Sequence, residues 1–259
     1  MELKVGSGLE TAIGRLLIVG ARVSALMVFA PFLASATIAP RIKAGFTLVL
    51  TALLYPAVAS DLPPLSGARE WQIAGGEFVV GLIMGITLQF VFEGVELAGQ
   101  VVGFQVGHSL ASVFNPLSDA DTPILANFYQ AVALLIFLQL DVHHWVLRGL
   151  VKSFQYCPPG TVLANPVVAE QIWRAAGGML VIAVQIAIPI LLATMLIDIS
   201  LGLVGRASPQ LPVLFVGISV KSVVALLVIV GTLRFWPGLL EKYFGQALAT
   251  SEQLMHLAR

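Results

Sequence analysis

The chain has 259 residues, of which 58% are hydrophobic and 11% charged, with a mean hydropathy of +0.94. A soluble domain carries about 25% charge, so this is the composition of an integral membrane protein. The 14 basic and 14 acidic residues cancel without forming a basic block, which leaves no footprint for nucleic-acid binding, and the single Cys157 excludes an internal disulfide or a multi-cysteine metal site.

A spanning helix needs about 20 apolar residues. About six stretches qualify: Ala12 to Ala39, Ala44 to Ser60, Trp71 to Val102, Ile124 to Leu150, Gly177 to Val204 and Leu211 to Trp236. The first has features of a signal peptide: Lys4, the apolar run Val23 to Leu33, and Ala34-Ser35-Ala36. Arg15 and Arg22 interrupt the run, so the segment is read as a retained membrane helix. The third stretch is long enough to tilt, kink or break. Its glycines, among them the Gly81-x-x-x-Gly85 pair, Gly94 and Gly99, allow close helix contact.

Short breaks separate the stretches. Arg41 and Lys43 lie in the first, Asn115 to Pro123 forms a polar turn cluster, and Cys157 to Pro166 carries Pro158, Pro159 and Gly160. Arg206 to Pro212 separates the last pair. Trp71, Trp145, Trp173 and Trp236 fall at expected helix ends, as an aromatic belt requires. With six spans, Lys4, Arg69, Arg148, Lys152, Arg174, Lys242 and Arg259 share one side, which the positive-inside rule assigns to the cytoplasm.

No catalytic constellation emerges. There is no G-x-S-x-G elbow, no H-E-x-x-H and no G-x-x-x-x-G-K-[ST], so no catalytic residue, cofactor or metal is expected. His143 and His144 are adjacent, point about 100° apart on a helix, and are read with Trp145 as an interfacial cap. The notable charges are those inside apolar segments: Arg22, Glu77, Glu93, Glu96, Asp198 and Lys221. A charge at the centre of a bilayer costs about 2.5–3.5 kcal/mol on insertion scales. Such groups fix helix register by pairing, contact partner subunits, or line an ion path. Glu93 and Glu96, spaced i, i+3, share a helix face. With Asp198 they support a rival reading, an ion-coupled small-solute transporter. Gly103 to Asp121 mixes small residues with Phe104, Phe114 and Asn115-Pro116. Irregular backbone at membrane depth is buried in protein or lines a cavity. A bulky residue there can close a pore, and the alternative is an ordinary extramembrane loop.

Three blocks carry a family resemblance. Gly99 to Pro116, then His143-His144-Trp145 with Ser153-Phe154 and Pro158, and finally Gly202 to Gln210 with Lys221, resemble the FliR family, the R subunits of the type III secretion export gate. Arg206, Pro209, Gln210 and Lys221 form the most specific part. The resemblance implies an all-α polytopic membrane protein of about six hydrophobic helices, some broken or bent, packed as helical hairpins in a multi-subunit export gate. It implies a P-like portion over about 1–165 and a Q-like hairpin and tail over about 166–259. It further implies P- and Q-type gate subunits, FlhB-type and FlhA-type export proteins and unfolded protein substrates as partners. The location implied is the bacterial inner membrane, within the flagellar basal body. The family's plug loop falls on Gly107 to Pro116, which makes His108, Phe114, Asn115 and Pro116, with Phe104 before them, the gate candidates. Asn115 stands where the family often has Asp, and Leu211-Pro212 where it often has Met-Asn.

Overall fold

In the computed structural model, residues 2–29, 39–58, 70–107, 124–161, 166–208, 210 and 213–257 are described. Among them there is no strand. Helix α1 runs Glu2–Phe29, α2 Pro40–Val58, α3 Glu70–Val106, α4 Ile124–Gln139, α5 Val142–Tyr156, α6 Pro166–Ala207, α7 Val213–Thr232 and α8 Trp236–Leu257, with a 3-10 turn over Leu233–Phe235. Pro40 and Pro166 each open a helix, where the missing N–H leaves no bond unmade. The all-α, polytopic reading holds.

Among the described residues four helical stretches are long and apolar enough to cross a membrane, or five if the bent pair α4–α5 counts as one span. The first expected span begins in α1 and continues through residues 30–38, which lie outside the described residues. The third stretch does not break. Helix α3 is 37 residues and α6 is 42, about 55 and 63 Å at 1.5 Å per residue. Both exceed a hydrocarbon core of about 30 Å, so neither is a simple upright span. Pro189 lies inside α6 without ending it. The fourth stretch is the one that breaks, at Asp141, whose φ of 54° is left-handed.

Contacts group the chain into two compact units. The first gathers 1–90, 141–176 and 243–259, and the second 91–140 and 177–242. In the first, α1 packs on α2 and, through Gly81 and Gly85, on α3. A Cβ at Gly81 would stand 2.1 Å from the Arg22 carbonyl oxygen, and one at Gly85 2.7 Å from Phe29 Cβ. Leu26, Ile83, Leu150, Phe154 and Leu254 fill its core. In the second unit the rest of α3 is central. Gly94 meets Met179 of α6, and Gly99 meets Ala126 of α4. Phe92 packs edge-on against Phe137, and Tyr129 against Trp236. Trp236 is 3% exposed, so it belongs to this core and not to an aromatic belt. Trp71 and Trp173 remain exposed.

Candidate functional sites: two ion pairs among apolar helices

The first site lies within the first unit. Arg22 of α1 forms an ion pair with Glu77 of α3, and both side chains have zero exposure. Its Nη1 donates to Ser153 Oγ at 2.9 Å and its Nη2 to the Cys157 carbonyl at 2.9 Å. The guanidinium lies 4.0 Å from the centre of the Phe154 ring. The local sequence explains these acceptors. Helix α5 ends at Tyr156, and Cys157 leaves it at φ −128°. The last carbonyls of a helix have no intrahelical partner and carry the negative end of its dipole. Pro158 and Pro159 bring no N–H to compete for them. Gly160, at φ +87°, turns the chain just beyond these prolines.

Arg22 therefore ties α1, α3 and the end of α5 together. A planar guanidinium has five donors and suits such a junction better than lysine. Ser153, Phe154 and Cys157 were not legible as its partners, because their connection to Arg22 spans more than 130 positions. The thiol of Cys157 is buried, 3.7 Å from Thr161 Oγ1. It is the residue's carbonyl that serves the site.

The second site lies in the second unit. Lys221 of α7 pairs with Asp198 of α6, with side-chain exposures of 18% and 43%. Gln105 Nε2 of α3 donates to Asp198 Oδ2 at 3.2 Å. A Cβ at Gly217 would come within 3.2 Å of Leu201 Cδ1, so α6 and α7 lie side by side as two arms of a hairpin. Arg206 and Gln210 are exposed at its turn, while Pro209 and Pro212 lie outside the described residues.

Glu93 and Glu96 are half-buried on α3, and Glu96 accepts a hydrogen bond from Gln100 at 3.2 Å. Gln105, which holds Asp198, stands about 13 Å of helix rise beyond Glu96. The two glutamates and Asp198 thus do not form one polar site. Phe104 is 77% exposed on the last turn of α3, and Gly107 ends that helix at φ +94°. His108, Phe114, Asn115 and Pro116 lie outside the described residues. His143 and His144 do not diverge as helical spacing suggests. Their ring centroids are 4.1 Å apart.

Overlong or bent apolar helices, glycine-mediated crossings and charges paired among apolar helices define a polytopic membrane protein. Helices α6 and α7 are shaped by pairing, and the chain carries no catalytic signature motif. The chain belongs to the bacterial export proteins, family 1, with residues 13–247 matching that family. It is 31% identical over 197 residues to the flagellar biosynthetic protein FliR of Escherichia coli (strain K12), covering 76% of this chain and 75% of the relative. Against FliR of Bacillus subtilis (strain 168) the identity is 29% over 246 residues, covering 93% and 94%. The surface presentation of antigens protein SpaR of Salmonella typhimurium (strain LT2) is 27% identical over 210 residues, covering 80% and 78%.

Proposed function

We propose that this chain is a structural and gating subunit of the flagellar or type III protein export gate, helping to form the portal by which unfolded substrates reach and cross the inner membrane. The protein is a component of that export apparatus, as its family and its FliR and SpaR relatives indicate. Its role is structural, with no chemical step of its own. P- and Q-type gate subunits are the expected immediate partners. FlhB-type and FlhA-type export proteins are expected beside them, in the flagellar basal body where the system is flagellar. In this reading 1–165 is the P-like portion and 166–259 the Q-like hairpin and tail.

The observation that carries the reading is the Asp198–Lys221 pair. Asp198 is 43% exposed on a hairpin whose outward residues are mostly apolar, among them Leu192, Leu196, Val223 and Leu227. A carboxylate is not left facing hydrocarbon; it faces protein or water. An apolar hairpin with a polar notch fits a neighbouring subunit that covers the notch. The transporter reading loses support because Asp198 is engaged by Lys221 and Gln105, apart from Glu93 and Glu96.

Expression with and without P- and Q-type subunits tests the proposal. The expected result is one stable hetero-complex. Lys221→Ala should lower the yield of that complex several-fold while export per assembled gate changes little. An active homo-oligomer that moves solute in liposomes refutes the gate reading. Full complex yield with lost export refutes the assembly role of Lys221.

A further inference from the structure

The chain turns between α4 and α5 at Asp141, the one non-glycine residue with positive φ among the described residues. A left-handed conformation is unfavourable for a residue with a Cβ and persists where its surroundings hold it. Asp141 occupies the N-cap position of α5, yet its carboxylate makes no capping hydrogen bond. An aspartate at that position ordinarily accepts from the second or third backbone N–H of the helix. Here the carboxylate turns to two imidazoles instead. Asp141 Oδ1 lies 3.3 Å from His144 Nδ1 and 3.8 Å from His143 Nε2.

One ligand atom from each of the three residues lies within 4.8 Å of the other two. Adjacent histidines on one helix point apart at their Cα atoms. They converge here because one presents Nε2 and the other Nδ1 toward the same carboxylate oxygen. Ligand bonds of about 2.0–2.1 Å in a tetrahedral arrangement hold neighbouring donor atoms about 3.3 Å apart. The two carboxylate–imidazole separations, 3.3 and 3.8 Å, are at or slightly above that spacing. The side chains are 37–68% exposed, so small rotations close the difference.

We propose that Asp141 Oδ1, His143 Nε2 and His144 Nδ1 form a three-ligand site for a divalent transition-metal cation of the zinc class, with water in the fourth position. Two imidazoles with one carboxylate suit zinc, nickel or copper, whereas magnesium and calcium favour all-oxygen shells. The ion clamps the left-handed turn at the start of α5. The site is separate from both ion pairs, and the proposal does not depend on the export-gate reading.

The test uses the full-length chain without a histidine tag, in its complex, stripped with chelator and titrated with Zn2+, then with Co2+ as a spectroscopic substitute. The expected result is one ion per chain, with the visible Co2+ bands of a four-coordinate nitrogen–oxygen site. His143→Ala and His144→Ala should each weaken binding about tenfold or more, a loss typical of metal-site mutations. His256→Ala should leave binding unchanged. Asp141→Gly keeps a residue at ease with positive φ while removing the carboxylate, and so remains informative if the histidine variants misfold. Folded Asp141→Gly protein that binds Zn2+ as tightly as the parent overturns the site, as does the absence of saturable one-to-one binding.

Discussion

At the scale of single residues, Arg22 and Glu77 set the terms. Each charge is withdrawn fully from solvent, a desolvation that their attraction offsets only while both are present. The extra acceptors, Ser153 Oγ and the Cys157 carbonyl, satisfy donors that the carboxylate alone leaves over. Removing one partner strands a buried charge, at a cost of about 3–5 kcal/mol. Replacing both by apolar residues of similar volume removes the desolvation along with the attraction. Arg22→Met and Glu77→Leu should each lower the thermal stability of the detergent-purified complex sharply. The double variant should recover most of the loss. If the two losses simply add, the pair is not coupled and the register role assigned to it is wrong. Asp198 and Lys221 differ in kind. They stay partly exposed in the lone chain, and the role proposed for them above is in the assembled gate.

At the scale of elements, α3 organises both units through its glycines. A Cβ at Gly81 meets backbone at 2.1 Å, at Gly94 at 2.8 Å and at Gly99 at 2.6 Å. Backbone cannot step aside as a flexible side chain can, so a methyl group there forces two helices apart. At Gly75, on the same helix, nothing lies within 4 Å. Gly81→Ala and Gly99→Ala should destabilise the purified protein. Gly75→Ala should be neutral or stabilising by up to about 1 kcal/mol, the difference in helix propensity. Thermal-shift measurements on the three variants decide this. Comparable losses at all three would remove close packing as the explanation. The glycine spacing and the run of apolar stretches were legible because both are local. The break at Asp141 was not, because a left-handed turn without glycine has no sequence signature. His143 and His144 beyond it read naturally as a helix end. Trp236 was misread for a similar reason. It was read as the end of the sixth apolar stretch, whereas it opens α8, and the Tyr129 ring it packs against lies more than a hundred positions earlier. Arg22 was recognisable as a buried charge, and its partner was among the named candidates. The choice of Glu77 over the other carboxylates depended on the approach of α1 to α3 at Gly81.

At the scale of the whole molecule, the helices differ in how much of themselves they keep covered. In its most apolar window the Trp71–Val106 helix is 61% buried, against 17% for Val216–Leu257. A chain of this kind presents long apolar surfaces that lipid or neighbouring protein must cover. On the export-gate reading proposed above, gating belongs to the assembled portal, and the proposed residue for closing it is Phe114, which lies outside the described residues. A plug of this sort works by excluded volume and apolar contact, and Phe→Ala in a packed setting forfeits about 3–5 kcal/mol. If only 1.4 kcal/mol of that biases closed over open, the open population rises about tenfold. Phe114→Ala, expressed with all gate subunits, should therefore raise the passive ion leak of the membrane by about that factor, without lowering complex yield. Phe104→Ala should raise it less, because Phe104 lies on the last turn of α3, before the segment matched to the family's plug. Conductance measured across bilayers containing the purified complex reads both variants directly. A leak unchanged by Phe114→Ala would remove that residue from the seal and shift the search to Phe104.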